Sequence, residues 1–592
     1  MKLFIVIFTF LTVTAAQNTS LSCFYYHYGD TYGCEMTINN PNGLNNFTEI
    51  GGIHLEGFTA NDVNTVIVSR GSTPNIPEII CETFPNVVLL DFYNVGITQV
   101  DDNALSACSS VTQLHFLFNR ISSIQANAFA SLRSLTNLEL AANSLTTLPE
   151  NLFANQQNLT RLGFESNSFQ VLPIGVFRPL TNLQSLNLGY TNLSSINSDW
   201  FTENSNLYYL NLAGNRLTLS PNMFAGMDGL ETLYLSDNGI SEIPSGTFSG
   251  LTNLQSLMLV RNDLSVIEAD SFADLQQLLF LDIAGNPIRE IHDNAFRGLD
   301  RLLTLYLDAC DINFLNADAF EGLGNLTYLN LNFNEIEGIL PETFAPLTNL
   351  NYLGLWNNRV KTLRRNIFGS LEQLSTLDLD GNIVNAVERA VIDDAVNLNT
   401  LFFSGNLCAN GFFGSFSILR AQYLPIFERC FQNMRYIVDT TTENDGVYSM
   451  FEAPSPGIVV SVRSENEVQI VLTPFEVIWT PSIEVFLGSS NNTRSVLWTP
   501  SIEVFLGSSN NTRSVIRINE ETDVVTVPTP NIIQQNLWND FRITWVNQNI
   551  LVFRGSEAYP FMSYTMQTFF PVNFYGLRAV ETSAIWSVQP VQ

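Results

Sequence analysis

Few residues of this sequence have the types and spacing that catalysis requires. The chain has four histidines, His27, His54, His115 and His292, and none lies in an HExxH motif or another paired zinc spacing. It contains no GxSxG nucleophile motif and no glycine-rich phosphate loop. His115 falls on a predicted strand without a candidate nucleophile in its own or adjacent strands, so a catalytic triad is not expected. The sequence therefore predicts no enzyme, no catalytic residue, no metal and no cofactor.

Composition and the first residues restrict the compartment and the partners. The formal net charge is −30 and charged residues make up 14% of the chain. Because the few Lys and Arg residues do not cluster, nucleic acid and anionic membranes are disfavoured as partners. The first 16 residues combine Lys2, an apolar run and a small-residue site before Gln17, which predicts a cleaved signal peptide. No later stretch has the roughly 18 apolar residues of a membrane span, and we expect a secreted, extracellular protein.

The elements that position the remaining candidate residues follow from a repeat. The pattern LxxLxLxxNxL recurs fifteen times between residues 63 and 407, with a 24-residue period and one 23-residue step. One unit cannot bury its own leucines, so units are expected to stack as coils with a parallel strand on the concave side. Asparagine at the ninth position is predicted to be buried and bonded to the backbone of neighbouring coils. Val95 and Thr191 replace it, and less regular coils are expected there.

These residues resemble the extracellular leucine-rich-repeat family, whose unit typically ends in FxxL, as in AFASL, TFSGL, SFADL and AFRGL here. The resemblance implies an α/β leucine-rich-repeat solenoid, a horseshoe with a parallel concave sheet. It also implies an N-terminal cap at 17–62, about 15 repeats at 63–407 and a C-terminal cap at 408–437. Cys310 lies at the ninth position, where the family often has cysteine, and a buried, inert thiol is expected.

The concave strand positions that point away from the core are the predicted binding surface. The solenoid itself cannot bury these positions, and in the later repeats they hold rings beside charges, which is typical of binding hot spots. Cross-strand tyrosines that only stabilise the sheet are the alternative. The predicted binding residues are Tyr209, Tyr234, Arg261, Phe280, Asp282, Tyr306, Asp308, Tyr328, Phe333, Tyr352, Trp356 and Asp378.

Six of the seven cysteines are expected to form disulfides in this compartment. Cys23 and Cys34 are close in sequence within the cap. Cys81 and Cys108 are 27 residues apart, one repeat plus three, so stacking places them side by side. The remaining pair, Cys408 with Cys430, brackets the end of the array. N-glycosylation sequons occur at Asn18, Asn46, Asn158, Asn192, Asn325, Asn491 and Asn510.

After about residue 438 the leucine period stops, and short alternating segments such as IVVSVR, VQIVLT, FRITWV and NILVFRG predict an all-β sandwich domain at 438–592. The segments IEVFLGSSNNTRSVIR, WNDFRITW and VNFYGL resemble the farnesoic acid O-methyltransferase family. That name implies methyl transfer, but no glycine-rich strand-to-helix turn for a methyl donor is present. An exact duplication, WTPSIEVFLGSSNNTRSV at 479–496 and again at 498–515, leaves position assignments there open.

These features predict a secreted recognition protein that binds an extracellular protein or glycan through its concave face, in innate immunity or adhesion. A structural matrix or surface-coat component is the alternative, and a methyltransferase is a remote one. The role itself rests on analogy, because stacked coils define only the shape.

Overall fold

The computed structural model describes residues 20–40, 47–102, 104–315, 318–339, 342–363, 365–368 and 372–434, and the backbone of strands between 437 and 590. The predicted signal peptide, the sequons at Asn18, Asn46, Asn491 and Asn510, and the first copy of the duplication lie outside the described residues. The chain divides into two compact units. Unit 1 comprises Met1–Asn286 with Ala295–Leu305, and unit 2 comprises Pro287–Asn294 with Tyr306–Gln592.

Unit 1 is a stack of coils that starts from an antiparallel hairpin. The hairpin strand Thr31–Asn39 pairs in parallel with Thr65–Ser72, and each later strand then pairs in parallel with the strand one repeat earlier. The strands of this sheet are Ser20–Tyr28, Thr31–Asn39, Thr65–Ser72, Leu89–Phe92, Gln113–His115, Asn137–Glu139, Arg161–Gly163, Ser185–Asn187, Tyr209–Asn211, Thr232–Tyr234, Ser256–Met258 and Phe280–Asp282, followed by Thr304–Tyr306 at the unit boundary.

The other elements of unit 1 are short. They are the two-residue strands Gln99–Val100, Ser123–Ile124 and Val266–Ile267, the α-helix Ile79–Thr83 and the 3-10 helices Ala60–Asp62 and Ser198–Trp200. Turns form most of the outer side of each coil.

Unit 2 continues the same coil design. Its parallel strands are Tyr328–Asn330, Tyr352–Gly354, Thr376–Asp378 and Thr400–Phe402, and Phe412–Gly414 adds an antiparallel strand. The outer side carries the strands Glu290–Ile291, Phe314–Leu315, Gly338–Ile339, Thr362–Leu363 and Ala386–Val387 and the helices Arg365–Phe368 and Arg389–Asp394. A longer helix, Phe416–Met434, follows the last coil.

Leucines and phenylalanines build the core of each coil. The strand leucines are buried, and the phenylalanines of several FxxL segments stack on their equivalents one coil away. Ring centroids of Phe248 and Phe272 are 6.2 Å apart in unit 1, and those of Phe320 and Phe344 are 5.7 Å apart in unit 2. Each such buried side chain contributes about 1.5–3 kcal/mol to folding.

The ninth-position asparagines form a ladder of amide hydrogen bonds, as the sequence predicts. Asn262 donates from Nδ2 to the backbone oxygens of Leu235 (3.0 Å) and Leu259 (2.9 Å), and its Oδ1 accepts from the backbone of Ile240 at 3.0 Å. Each amide therefore ties its own coil to the preceding one.

The coils at Val95 and Thr191 keep the strand register, and their irregularity is local: the next residues, Gly96 and Asn192, have positive φ values of 80° and 67°. Thr191 donates from its hydroxyl to the backbone oxygen of Leu188 (2.6 Å) and to Oδ1 of Asn215 (3.1 Å), so a hydroxyl replaces the amide in the ladder. The backbone nitrogen of Val95 donates to Oδ1 of Asn119 at 3.1 Å. Both neighbouring strands keep the register of the sheet.

Three disulfides connect the cysteine pairs named above: Cys23–Cys34, Cys81–Cys108 and Cys408–Cys430. Cys310 is buried and forms no disulfide, and its Sγ lies 3.6 Å from the backbone oxygen of Asp308.

In the described residues from 437 to 590, the strands form two six-stranded antiparallel sheets, which confirms the all-β prediction. In spatial order, one sheet contains Ile437–Thr440, Ala584–Pro590, Gly457–Ser464, Asn539–Val546, Asn549–Arg554 and Met562–Thr565. The other contains Ser449–Glu452, Phe574–Ala579, Val468–Thr473, Ile502–Gly507, Arg513–Ile518 and Thr522–Pro528. The second copy of the duplicated segment thus supplies the strand Ile502–Gly507 and the beginning of the adjacent strand Arg513–Ile518.

Candidate binding surface

Concave residues alternate between the core and the surface as the strand period requires. In Tyr209–Asn211 and in Thr376–Asp378 the central leucine is buried, and both of its neighbours are partly exposed. The predicted rings therefore lie on the concave surface of their coils. They cover one another in part and remain accessible.

Three of the predicted residues in unit 2, Tyr306, Tyr328 and Tyr352, form what we call the tyrosine ladder. The ring centroids of Tyr306 and Tyr328 are 5.3 Å apart. Tyr328 and Tyr352 stack almost parallel, at 4.4 Å and an interplanar angle of 6°. Hydrogen bonds join the hydroxyl of Tyr328 to those of both neighbours, and burial, the largest cause, raises the pKa of Tyr328 and Tyr352 above the ordinary tyrosine value. Tyr328 and Tyr352 are therefore uncharged at physiological pH.

A glycine allows the ladder to connect to Trp356. A Cβ atom at Gly354 would lie 2.7 Å from Oδ1 of Asn332 and 3.0 Å from Cε1 of Tyr352. Without that atom, the Asn332 side chain hydrogen-bonds to the Tyr352 hydroxyl, and its Oδ1 accepts from the backbone nitrogen of Trp356 at 2.7 Å. The Asn332 side chain thus connects the Tyr352 ring to the backbone of Trp356 by hydrogen bonds.

Two carboxylates flank the ladder. Asp308 follows Tyr306 in its coil and accepts from Nδ2 of Asn330 at 2.9 Å. Asp378 lies in the coil after Tyr352, and its Oδ1 accepts from the backbone nitrogen of Asp380 at 3.1 Å. Burial raises the pKa of both carboxyl groups, and the charge of Asp380 raises that of Asp378 further. Within the part of the chain that the structure describes, neither carboxylate has an ion pair with Lys or Arg.

Phe333 and Trp356 form an exposed aromatic pair beside the ladder. Their ring centroids are 4.4 Å apart at 63°, and the two residues are 45% and 42% exposed. Phe333 has a φ of 56°, a left-handed conformation that costs a side chain with a Cβ roughly 1–2 kcal/mol. The same left-handed conformation recurs at this position of the neighbouring coils, at Ala309 (53°) and Asn357 (56°), so a regular turn of the repeat presents the Phe333 ring.

The predicted residues of unit 1 form two smaller groups. Tyr209 and Tyr234 lie 5.5 Å apart, and burial raises the pKa of Tyr209, with further increases from the neighbouring Tyr234 and Glu165. Arg261 donates to both carboxylate oxygens of Asp237, from Nε at 2.7 Å and from Nη2 at 2.8 Å. Its guanidinium group is therefore already paired within the chain.

Phe280 and Asp282 are both partly exposed on one strand of unit 1. These two residues and the Tyr209 and Arg261 groups lie in unit 1, whereas the tyrosine ladder belongs to unit 2.

Sequence reasoning missed a second exposed aromatic pair, Tyr93 and Phe118, in unit 1. Their centroids are 5.5 Å apart at 63°, and the residues are 44% and 55% exposed. Phe118, like Phe333, occupies the eighth position of its coil with a positive φ. Most coils place glycine, asparagine, aspartate, alanine or serine at this position, so an aromatic residue there was the signal that could have found the pair.

The concave face of the early coils of unit 1 also carries a group of polar side chains that the sequence analysis did not predict. The carboxylate of Glu139 lies over Gly163, where a side chain would collide with it. Burial is the largest cause of the raised pKa of Glu139. Asn187 donates to Oε2 of Glu165 at 2.9 Å.

His115 lies on the same concave face, with Nδ1 3.8 Å from Oδ2 of Asp91 and Nε2 3.2 Å from Nδ2 of Asn137. Among the residues with described positions, no group of three or more His, Cys, Asp or Glu side chains is arranged to hold a metal ion.

The three sequons within the described residues are all exposed. Asn158 donates from Nδ2 to the backbone oxygen of Arg133 at 2.9 Å, and Asn192 has a positive φ of 67°. Asn325 occupies the same position of its repeat as Asn158, directly before the first leucine.

Family profiles match both parts of the chain. A BspA-type leucine-rich-repeat profile matches residues 98–230 in six copies, and a second leucine-rich-repeat profile matches 217–264, 252–312, 300–355 and 348–407. A profile described as farnesoic acid O-methyl transferase matches residues 498–591. The chain therefore belongs to the leucine-rich-repeat proteins and carries a C-terminal domain of the farnesoic acid O-methyl transferase family. No curated protein matches the sequence.

Solved structures share the repeat fold. A chain of the Drosophila Toll–Spatzle complex is 20% identical, with a TM-score of 0.52 over 69% of this chain and 58% of that chain. The glycosylated form of that complex is 23% identical, with a TM-score of 0.52 over 63% and 51%. The APL1 leucine-rich repeat domain is 21% identical, with a TM-score of 0.50 over 66% and 100%. This chain spans just over half the length of the Toll–Spatzle chains it matches.

A search of the described helices finds none that is both long enough and apolar enough to cross a membrane. The disulfides and the repeat fold are consistent with an extracellular protein.

Proposed function

We propose that this chain is a secreted recognition protein that binds a protein partner through the concave surface of unit 2. The observation that carries the proposal is the tyrosine ladder together with the Phe333–Trp356 pair. Tyr and Trp are enriched at the centres of protein interfaces because rigid rings bury a large area at little entropic cost. The half-exposed rings, the exposed Phe333 and the flanking carboxylates form one continuous set of concave residues.

Protein ligands are favoured over glycans by the size and composition of this surface. Stacked rings and an exposed indole supply apolar area, which is the main driving force of protein association. The Toll–Spatzle structure is itself a complex, described as a hub in Drosophila development and innate immunity. By that analogy we place this chain in innate defence or in extracellular adhesion, with N-glycans at its exposed sequons.

The C-terminal domain is proposed as a second binding module and not as an enzyme. Its strands pair antiparallel, whereas methyl donors are usually bound at a glycine-rich turn between a parallel strand and a helix. The match to the farnesoic acid O-methyl transferase profile favours methyl transfer as the second candidate.

The proposal is tested by capture from extracellular fluid of the source organism on the immobilised full-length chain. We expect saturable binding of a defined protein and a loss of at least tenfold in affinity for Tyr306→Ala combined with Trp356→Ala. The matched control is Phe24→Ala combined with Tyr28→Ala, which removes two rings that are 72% and 85% exposed on the N-terminal hairpin. Equal capture by the wild type and both variants would favour the structural-component alternative.

A further inference from the structure

We propose that the partner presents a basic segment and that one arginine side chain enters a slot formed by Tyr352, Thr376 and Asp378. This inference rests on the proposed function and names the chemistry that the concave surface recognises. We call these three residues the arginine slot.

The slot exists because the tyrosine ladder ends abruptly. The sheet register aligns Tyr328, Tyr352 and Thr376 in one row across three adjacent coils. Tyr328 and Tyr352 stack with nearly parallel planes, so the rings face along this row. One face of Tyr352 is covered by Tyr328, and the other points to the place where Thr376 has only a short side chain. Thr400 continues the row with a second short side chain.

A carboxylate lies beside this open ring face. Asp378 is two residues from Thr376 on the same strand, and the register places it opposite Gly354, which has no side chain. A planar cation stacked on Tyr352 is thus within reach of the Asp378 carboxylate. Guanidinium groups combine ring stacking with bidentate carboxylate bonding, and ammonium groups do not, which selects arginine over lysine.

The concave surface of unit 2 carries negative charge, so a cation that pairs with its carboxylates must come from the partner. In the described strands and adjoining residues from Thr304 to Ser404 that line this face, Asp308, Asp378 and Asp380 occur without any Lys or Arg on the outward positions. Burial raises the pKa of Asp308 and Asp378, as expected for carboxylates without a compensating charge. An arriving guanidinium would provide that charge, and the net charge of −30 steers basic partners toward the chain.

The test uses the full-length chain and three labelled peptides, in which glycine alternates with arginine, lysine or citrulline. Citrulline has the shape of arginine without its charge. Fluorescence anisotropy is expected to show the tightest binding for the arginine peptide and about tenfold weaker binding for the citrulline peptide. Equal affinity for the arginine and citrulline peptides would overturn the inference.

Variants separate the slot from general attraction to an acidic protein. Asp378→Asn keeps an oxygen for the backbone nitrogen of Asp380 and is expected to weaken the arginine peptide about tenfold. Thr376→Tyr extends the ladder into the slot and leaves the charge unchanged. It is also expected to weaken binding of the arginine peptide about tenfold. The controls Glu372→Gln and Thr348→Tyr make the same changes at exposed positions of unit 2 and should retain wild-type affinity. Equal losses in slot and control variants would refute the slot.

The two proposals fail in different ways. If the captured protein is lost with Tyr306→Ala and Trp356→Ala but binds Asp378→Asn and Thr376→Tyr normally, the arginine slot is wrong and the recognition surface stands. If no variant of the concave surface affects capture, the proposed function itself is wrong.

Discussion

At the scale of single residues, the ninth position was predictable because its chemistry is local and repeated. A buried amide must find partners, and the period places backbone groups of the previous coil at the same point in every turn. The replacement by Thr191 was not predictable, because a hydroxyl fits the ladder only once the distances to Leu188 and Asn215 are known. The bidentate bond between Arg261 and Asp237 was not predictable for the same reason.

The buried amides should dominate the stability of their coils. Asn382 accepts from the backbone of Val360 and donates to the backbone oxygens of Leu355 and Leu379. Asn382→Ala leaves these groups buried and unpaired, so we expect a loss of about 2–4 kcal/mol in the free energy of unfolding, measured by urea denaturation. Asn397→Ala removes an exposed amide with one bond to Glu372 and should cost less than about 1 kcal/mol. Similar losses in both variants would contradict a structural role for burial.

The raised carboxyl pKa values predict how stability depends on pH. Burial raises the pKa of Asp308 and Asp378 in the folded state. At pH values between their unfolded and folded pKa, the folded state therefore binds more protons than the unfolded state. Their stabilising contribution is present below the ordinary aspartate pKa and is lost as pH rises through the raised folded values. The pKa of Asp237, lowered by Arg261, acts in the opposite direction at lower pH.

We therefore expect the thermal midpoint of the chain to rise as pH falls from neutral toward the ordinary aspartate pKa. Asp308→Asn combined with Asp378→Asn should flatten this rise, because the amides do not titrate. Glu321→Gln combined with Glu372→Gln removes the same charge at exposed positions and should retain the wild-type slope. Scanning calorimetry at several pH values measures the slopes, and equal slopes in the two double variants would disprove the assignment.

At the scale of elements, the leucine period specifies strand positions and which residues face outward. It does not specify how the side chains of neighbouring coils contact one another. The slot beyond Tyr352 depends on register between coils and on the parallel planes of two rings. The left-handed eighth position depends on φ, and the chain fills it with Gly285 and Gly381 in some coils and with Phe118, Tyr190 or Phe333 in others. Sequence reasoning included Phe333 from this turn but overlooked the exposed rings of Phe118 and Tyr190 at the same position.

The disulfide at the end of the array should hold the last helix in place. Cys408–Cys430 closes a loop of 22 residues and joins the final coil to the helix Phe416–Met434. Replacing both cysteines by alanine should remove about 3 kcal/mol of stabilisation. Hydrogen exchange is then expected to accelerate in the helix before it does in the coils. Cys310→Ala, outside any disulfide, is the control and should leave exchange in the helix unchanged.

At the scale of the whole molecule, two kinds of architecture occur in one chain. The coils depend on contacts between neighbouring repeats, and a sequence period is enough to predict them. The C-terminal sheets depend on pairs distant in sequence, such as Ile437–Thr440 with Ala584–Pro590. The alternating segments predict strands there, but they do not predict how the strands pair, because alternation specifies a strand and not its neighbour.

The antiparallel pairing leads to a prediction for the 592-residue chain, namely that it does not bind a methyl donor. Donor sites need backbone nitrogens at a glycine-rich turn that opens a helix, and among the described residues from 437 to 590 only strands occur. Titration calorimetry of the full-length chain with S-adenosylmethionine should give no saturable heat under conditions in which a known methyltransferase gives one. A saturable signal with one donor per chain would instead assign the C-terminal domain a catalytic role and make the concave surface a means of selecting its substrate.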